Sequence, residues 1–202
     1  MKPHAVVFDL GKVLVDFDWS IAARRMASRS ATSVDDLLKL FNYSPLVVEF
    51  ELGRITNEQF FDEASRMTGF KGDFAEFALI FGDIFSEMAE MIALHAELRR
   101  RRVPTFIFSN TNDLAIQNVR ANFPFFAQFD GYVLSYEHGA MKPHAALYDV
   151  VETMTGRRGA ELLYIDDRAE NIEAGRARGW QVVLQEQPKK TIAAVRATGL
   201  LD

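Results

Sequence analysis

Apolar residues follow two rhythms along this chain. Residues 5–8 (Ala-Val-Val-Phe), 103–108, 131–135, 162–165 and 181–184 form short apolar runs bounded by polar residues or glycine. Runs of this length suit strands buried on both faces, as in a parallel sheet. The stretches between them carry apolar residues at helical spacing. Residues 87–101 show it best, with Met88, Met91, Ile92, Leu94, His95 and Leu98 on one face. Residues 113–122, 145–155, 171–178 and 191–198 read as further helices. Strands alternating with helices predict an α/β fold, a Rossmann-like parallel sheet with helices on both faces.

Residues 18–85 break the alternation. They hold hardly any strand signal, and segments 19–30, 33–41, 45–52, 56–68 and 73–85 read as helices. Thr56-Asn57-Glu58-Gln59 has the form of a helix N-terminus, and Gly69 is placed to stop that helix. Phe50, Phe60, Phe61, Phe70, Phe74, Phe77 and Phe81 suit the core of a small bundle. The expected division is therefore an α/β core of residues 1–17 and 86–202 and a helical insert of residues 18–85.

Composition narrows the function classes. The 202 residues carry a net charge of −5, which argues against a basic nucleic-acid or membrane surface. The run Arg99-Arg100-Arg101-Arg102 reads as a solvated helix terminus, because no aromatic residues are interleaved with it. With no cysteine there is no disulfide or thiolate metal site. The first strand follows the start of the chain without a signal-peptide layout, and no apolar run approaches the roughly 18 residues of a spanning helix. The expectation is a soluble cytoplasmic protein with neither a nucleic-acid nor a membrane partner.

The polar residues at the ends of the apolar runs carry the candidate chemistry. The first run ends at Asp9, the second at Ser109 and Asn110, and the fourth at Asp166 and Asp167. Lys142 sits in a glycine-led loop before a helix. An open parallel sheet gathers such strand ends at one edge. There, two carboxylates can hold Mg²⁺, and a hydroxyl and an amide can bind phosphate oxygens. A lysine can neutralise charge, and an ionised Asp9 can attack phosphorus. His4, His95 and His138 lack metal-ligand spacing, while His144, next to Lys142-Pro143, is a candidate on the substrate side.

Four ordered motifs carry a family resemblance: Phe8-Asp9-Leu10-Gly11-Lys12-Val13-Leu14, Phe108-Ser109-Asn110-Thr111, Lys142-Pro143, and Tyr164-Ile165-Asp166-Asp167-Arg168-Ala169-Glu170-Asn171-Ile172. In these the chain resembles the haloacid-dehalogenase-like hydrolase superfamily. The helical insert, with Phe50-Glu51-Leu52-Gly53-Arg54-Ile55-Thr56 and Phe60, resembles the family's C1-type cap. The Phe-Asp-Leu-Gly opening is similar to that of a subgroup including bacterial sugar-phosphate phosphatases. The resemblance implies Asp9 as nucleophile, Ser109 and Asn110 as phosphate binders, and Lys142 as both a catalytic and a phosphate-binding cation. It also implies Mg²⁺ held by Asp9, the Gly11 carbonyl and the Asp166-Asp167 pair, with Asp167 favoured as a direct ligand.

Gly11 departs from the family pattern. Most phosphatases of the superfamily carry a second aspartate there, which protonates the leaving oxygen and then activates water. Asp16 and Asp18 lie just downstream and are open to two readings: substitutes for that acid, or turn and cap residues. Lys12 either adds positive charge to the site or points outward. The expected function is a Mg²⁺-dependent phosphomonoesterase that works through an aspartyl-phosphate on a small phosphorylated metabolite such as a sugar phosphate. Two alternatives stand beside it. Gly11 favours a non-catalytic binder of phosphorylated ligands. A 2-haloacid dehalogenase also lacks the second aspartate, but has no need of the acidic pair.

Overall fold

The computed structural model describes residues 1–201. The chain opens with β1 (Ala5–Phe8) and β2 (Val15–Phe17). Five helices follow: α1 (Trp19–Ala27), α2 (Val34–Tyr43), α3 (Pro45–Glu51), α4 (Asn57–Thr68) and α5 (Phe74–Gly82). Next come β3 (Phe85–Glu87), α6 (Ala89–Arg100), β4 (Thr105–Ser109), α7 (Asp113–Asn122), β5 (Gly131–Leu134) and the short α8 (Ser135–His138). The chain closes with α9 (Ala145–Thr155), β6 (Leu162–Asp166), α10 (Ala169–Ala177), β7 (Gln181–Leu184) and α11 (Pro188–Ala197).

The main sheet has the order β5-β4-β1-β6-β7, and every pairing in it is parallel. β1 lies at its centre, and all four of its residues are fully buried. Side chains alternate across the pleat. Val6 and Phe8 pack on one face with Ile107, Leu163 and Ile165, while Ala5 and Val7 pack on the other with Phe108, Tyr148 and Tyr164. Both faces are thus covered, as the apolar runs implied.

Helices α1 to α5 enclose an apolar core of their own, rich in phenylalanine. The Phe50 and Phe60 rings stack with centroids 4.2 Å apart, and Phe60 meets Phe81 at 5.1 Å. The local signals work as chemistry predicts. Thr56 and Gln59 form a reciprocal capping box, and Gly69 closes α4 at φ +67°. The Asp73 carboxylate accepts the Glu76 N–H at 2.8 Å to start α5.

Several boundaries differ from the sequence reading, among them the end of α1, at Ala27 rather than residue 30. Residues 85–87 are not a helix end followed by a helix start; they form β3, antiparallel to β2, with Phe17 opposite Phe85 and Val15 opposite Glu87. This ribbon joins the helical insert to the sheet. α10 begins at Ala169, two residues earlier than expected. α11 begins at Pro188 rather than at residue 191, because proline fits the first helical turn, where no N–H is needed. No helix among the described residues is long and apolar enough to cross a membrane.

The insert meets the sheet side at defined points. Asn57 Nδ2 donates to Asp113 Oδ2 at 2.7 Å, and the Ser135 hydroxyl donates to the Glu51 carbonyl at 2.7 Å. Gly53, at φ +65°, follows directly, and a Cβ there would run into the Tyr136 backbone carbonyl. Glycine is required for so close an approach.

Candidate active site

Sheet register builds the centre of the site. Phe8 pairs with Ile107 on one side and Ile165 on the other. The next step along β1, Asp9, therefore lies between Phe108 and Asp166, and the Asp9 N–H donates to the Ile165 carbonyl at 2.9 Å. This is the carboxyl edge of the sheet, where an open α/β fold places its ligands.

Lys142 reaches this edge from the loop before α9. Its ammonium donates to the Phe108 carbonyl at 2.9 Å and lies 2.7 Å from Asp166 Oδ2 and 3.0 Å from Asp9 Oδ1. The loop is pinned by Asn110. The Asn110 Oδ1 accepts the Lys142 backbone N–H at 2.7 Å, and its Nδ2 donates to the Lys142 carbonyl at 3.0 Å. Asn110 thus positions the lysine as well as lining the cavity.

The two adjacent aspartates divide in role. Asp166 is wholly buried. It accepts from the Tyr164 hydroxyl, from Asn171 Nδ2 at 3.0 Å and from the Arg168 N–H at 2.8 Å, in addition to Lys142. Asp167 is half-buried and lines the cavity beside Asp9, Ser109, Asn110 and Lys142, whereas Asp166 lies behind that wall. Asp9 is held by Oδ1, which accepts the Leu10 N–H at 2.7 Å as well as facing Lys142. Its Oδ2 has no protein donor among the described residues and is free to act.

Electrostatics follow from burial and neighbours. Burial pushes the Asp9 carboxyl up to about 7, with Lys142 opposing and Asp166 adding to the rise. Burial also works against charge on Asp166, but the Lys142 charge and hydrogen bond outweigh it and hold that carboxyl below its ordinary value. Burial and the Asp166 charge raise Asp167. Lys142 also loses by burial, yet Asp9 and Asp166 hold it charged. Asp9, Asp166 and Asp167 each bring a carboxylate oxygen within 4.8 Å of the others. Three carboxylates against one ammonium leave an excess of negative charge, and an all-oxygen donor set of this kind fits a hard dication.

The cavity in front of these groups measures about 380 Å³, the size of a small-molecule site. Its floor carries Asp9, Gly11, Ser109, Lys142 and Asp167, and its opposite wall comes from the helical insert: Trp19, Phe41, Val47, Val48 and Glu51. The structure therefore brings together Asp9, Gly11, Ser109, Asn110, Lys142 and Asp167, with Asp166 one layer back. A model of the haloacid dehalogenase-like hydrolases matches residues 3–179. The chain belongs to that family. It is 27% identical to a sesquiterpene phosphatase of Aspergillus oryzae over 87% of this chain and 86% of the relative. It is 22% identical to a D-ribitol-5-phosphate phosphatase of Bacteroides thetaiotaomicron over 90% of this chain and 91% of the relative. Its fold matches a family enzyme of B. thetaiotaomicron solved with magnesium and inorganic phosphate, at TM-score 0.80 and 22% identity, covering 90% of this chain and 93% of that one.

The secondary candidates resolve differently. Asp16 is exposed and pairs with Lys12, and Asp18 caps α1 by accepting the Ser20 N–H at 2.8 Å. Their hydrogen bonds, from Lys12 to Asp16 and from Ser20 to Asp18, hold both carboxyls below the usual range, and neither lines this cavity. The turn-and-cap reading is the right one. Lys12 is tied to Asp16 and donates to the Phe17 carbonyl at 3.0 Å. His144 is exposed and caps α9, its Nδ1 accepting the Ala146 N–H at 3.3 Å. Glu51, which lies in the cap-like text of the insert, also lines the cavity, a place that its sequence position does not signal.

Proposed function

We propose that this protein is a Mg²⁺-dependent phosphomonoesterase of the cytoplasm, acting on small phosphorylated metabolites, with sugar phosphates the first class to screen. The observation that carries it is the convergence of Asp9, Ser109, Lys142 and Asp167 on one cavity at the carboxyl edge of the sheet. Two relatives spanning most of the chain are named as phosphatases, which supports the same reading. Residues 18–85 act as a cap over a core of residues 1–17 and 86–202.

In this reading Asp9 is the nucleophile. Its Oδ1 is fixed by the Leu10 N–H and Lys142, so Oδ2 is the oxygen directed at phosphorus. Attack forms an Asp9 acyl-phosphate and releases the alcohol; water then cleaves it to inorganic phosphate. The Ser109 hydroxyl and the Asn110 amide hold the phosphoryl oxygens. Lys142 offsets the charge that builds on Asp9 and the transferring group. Mg²⁺ would be held by Asp9, Asp167 and the Gly11 carbonyl, with Asp166 behind them, and would supply charge neutralisation at the phosphoryl oxygens. The cap excludes water while the first step proceeds.

A phosphate-release screen over sugar phosphates, nucleotides and phospho-acids, with and without Mg²⁺, tests this reading. Mg²⁺-dependent release that Asp9→Asn abolishes is the expected result. Halide release from 2-haloacids that survives EDTA, or ligand binding with no release across the panel, contradicts it.

A further inference from the structure

The family's usual acid is absent at Gly11, and the structure shows that no side chain fits there easily. A Cβ on Gly11 would lie 2.9 Å from Cε1 of Phe17, whose ring fills the space. Asp16 and Asp18 are engaged elsewhere and kept ionised, the wrong state for a proton donor. The remaining carboxyl on the cavity wall comes from the other side. Glu51 ends α3 and lines the same cavity as Asp9, together with Trp19 and Val48 of the insert. It also borders a smaller space of about 100 Å³ that reaches Gly11, Ser109 and Asn110.

We propose that Glu51 is the proton donor and acceptor of the reaction, taking from the cap the role that Gly11 cannot fill. This rests on the phosphatase reading above. Among the described residues the Glu51 carboxyl makes no hydrogen bond or ion pair. Its backbone, in contrast, is fixed: the carbonyl accepts the Ser135 hydroxyl, and Gly53 seats the chain against Tyr136. A partly buried carboxyl without a partner is costly for stability. Such groups persist where chemistry uses them.

The surroundings suit proton transfer near neutrality. Burial pushes the Glu51 carboxyl up to about 7, against the opposing charge of Arg168. The end of α3 adds a negative dipole end that also favours the neutral acid. The other charged groups facing the cavity are Asp9, Lys12, Lys142 and Asp167. In the first step Asp9 Oδ2 bonds to phosphorus and the phosphorus–oxygen bond to the leaving group breaks. The Glu51 proton passes to that oxygen, so a neutral alcohol departs. In the second step water attacks phosphorus and gives its proton to the Glu51 carboxylate. The Asp9–phosphorus bond breaks, phosphate leaves and Glu51 is protonated again.

Leaving-group dependence tests this on the Mg²⁺-loaded protein. p-Nitrophenyl phosphate has a good leaving group and phenyl phosphate a poor one, at nearly equal size. Glu51→Gln is expected to lower kcat/KM for phenyl phosphate by about 10²–10⁴-fold. For p-nitrophenyl phosphate the loss is about tenfold or less, and nitrophenol appears as a burst of one equivalent followed by slow turnover. The alkaline limb of the kcat/KM pH profile disappears in the variant, while Glu51→Asp restores part of the rate. Equal losses for both esters, a change in KM alone, or an unchanged pH profile overturns the proposal and makes Glu51 a substrate-positioning residue. No release from either ester by the unaltered protein overturns the phosphatase reading itself, an outcome distinct from turnover that Glu51→Gln leaves intact.

Discussion

Just behind the cavity floor, Asp166 meets four donors, and on the floor the Lys142 ammonium meets three acceptors; on the side contributed by the helical insert, the roof, the Glu51 carboxyl meets none among the described residues. The floor is built from strand ends, so the backbone sets each side chain's place and its neighbours satisfy it. Such a network is rigid before any ligand arrives. The roof is built from a helix end, and only its backbone is tied down. In the proposed reaction, the groups that every turnover needs in one geometry sit on the sheet, and the group that meets the leaving oxygen sits on the helical insert.

Substitutions can break this contrast, beginning with the largest effect. Asp9→Asn is expected to lower turnover by about 10⁴-fold or more while leaving the Lys142–Asp166 pair and the melting temperature nearly intact, as assays and calorimetry would show. Lys142→Met leaves two buried carboxylates facing each other without a cation. It should cost about 3–5 kcal/mol in urea unfolding and abolish turnover. A small loss of stability would mean the floor is less tightly coupled than its geometry indicates.

Titration separates the floor's support from the roof. His95 lies behind β1, edge-on to Phe8 and stacked on Phe129 at 3.9 Å, with Nε2 3.2 Å from the Thr105 hydroxyl. Burial pushes it down to about 4, from 6.5. The unfolded chain therefore takes up this proton first. Stability is complete above pH 6.5 and falls as pH drops towards 4, by on the order of 2 kcal/mol. Chemical denaturation across that window should show the slope, and His95→Gln should flatten it. Glu51 has the opposite sign. Its folded carboxyl holds its proton to about 7 against an ordinary value of 4.5, so its contribution is lost as pH rises through that window. Glu51→Gln is expected to be about as stable as the unaltered chain at pH 5 and more stable by on the order of 1 kcal/mol at pH 8. Lower stability at pH 8 would show a hidden partner for Glu51.

The floor was legible in the sequence because its residues are local. An apolar run followed at once by Asp9, Ser109 or Asp166 states both the strand and the group at its end. The caps at Thr56 and Asp73 are equally local. The ribbon of β2 and β3 was not legible, because each strand has three residues and its partner lies about 70 positions away. Phe85 and Glu87 therefore read as parts of neighbouring helices. Glu51 escaped notice for a related reason. The cap-like text around it marks the insert but does not single out its carboxyl from a solvated acid at a helix end. Its place in the wall of the cavity depends on a hydroxyl at Ser135 and on the close approach that Gly53 permits. The resemblance already favours Asp167 over Asp166 as the direct ligand; the structure adds that Asp166 is buried and surrounded by donors while Asp167 lines the cavity.

The covalent role of Asp9 is tested most directly by acid quench. The Mg²⁺-loaded protein is mixed with p-nitrophenyl phosphate, quenched within one turnover, digested and mapped by mass spectrometry. The expected result is a phosphoryl group on the peptide containing residues 5–15, located at Asp9 and missing from Asp9→Asn. Turnover with no phosphorylated peptide, or with the label on another residue, contradicts it.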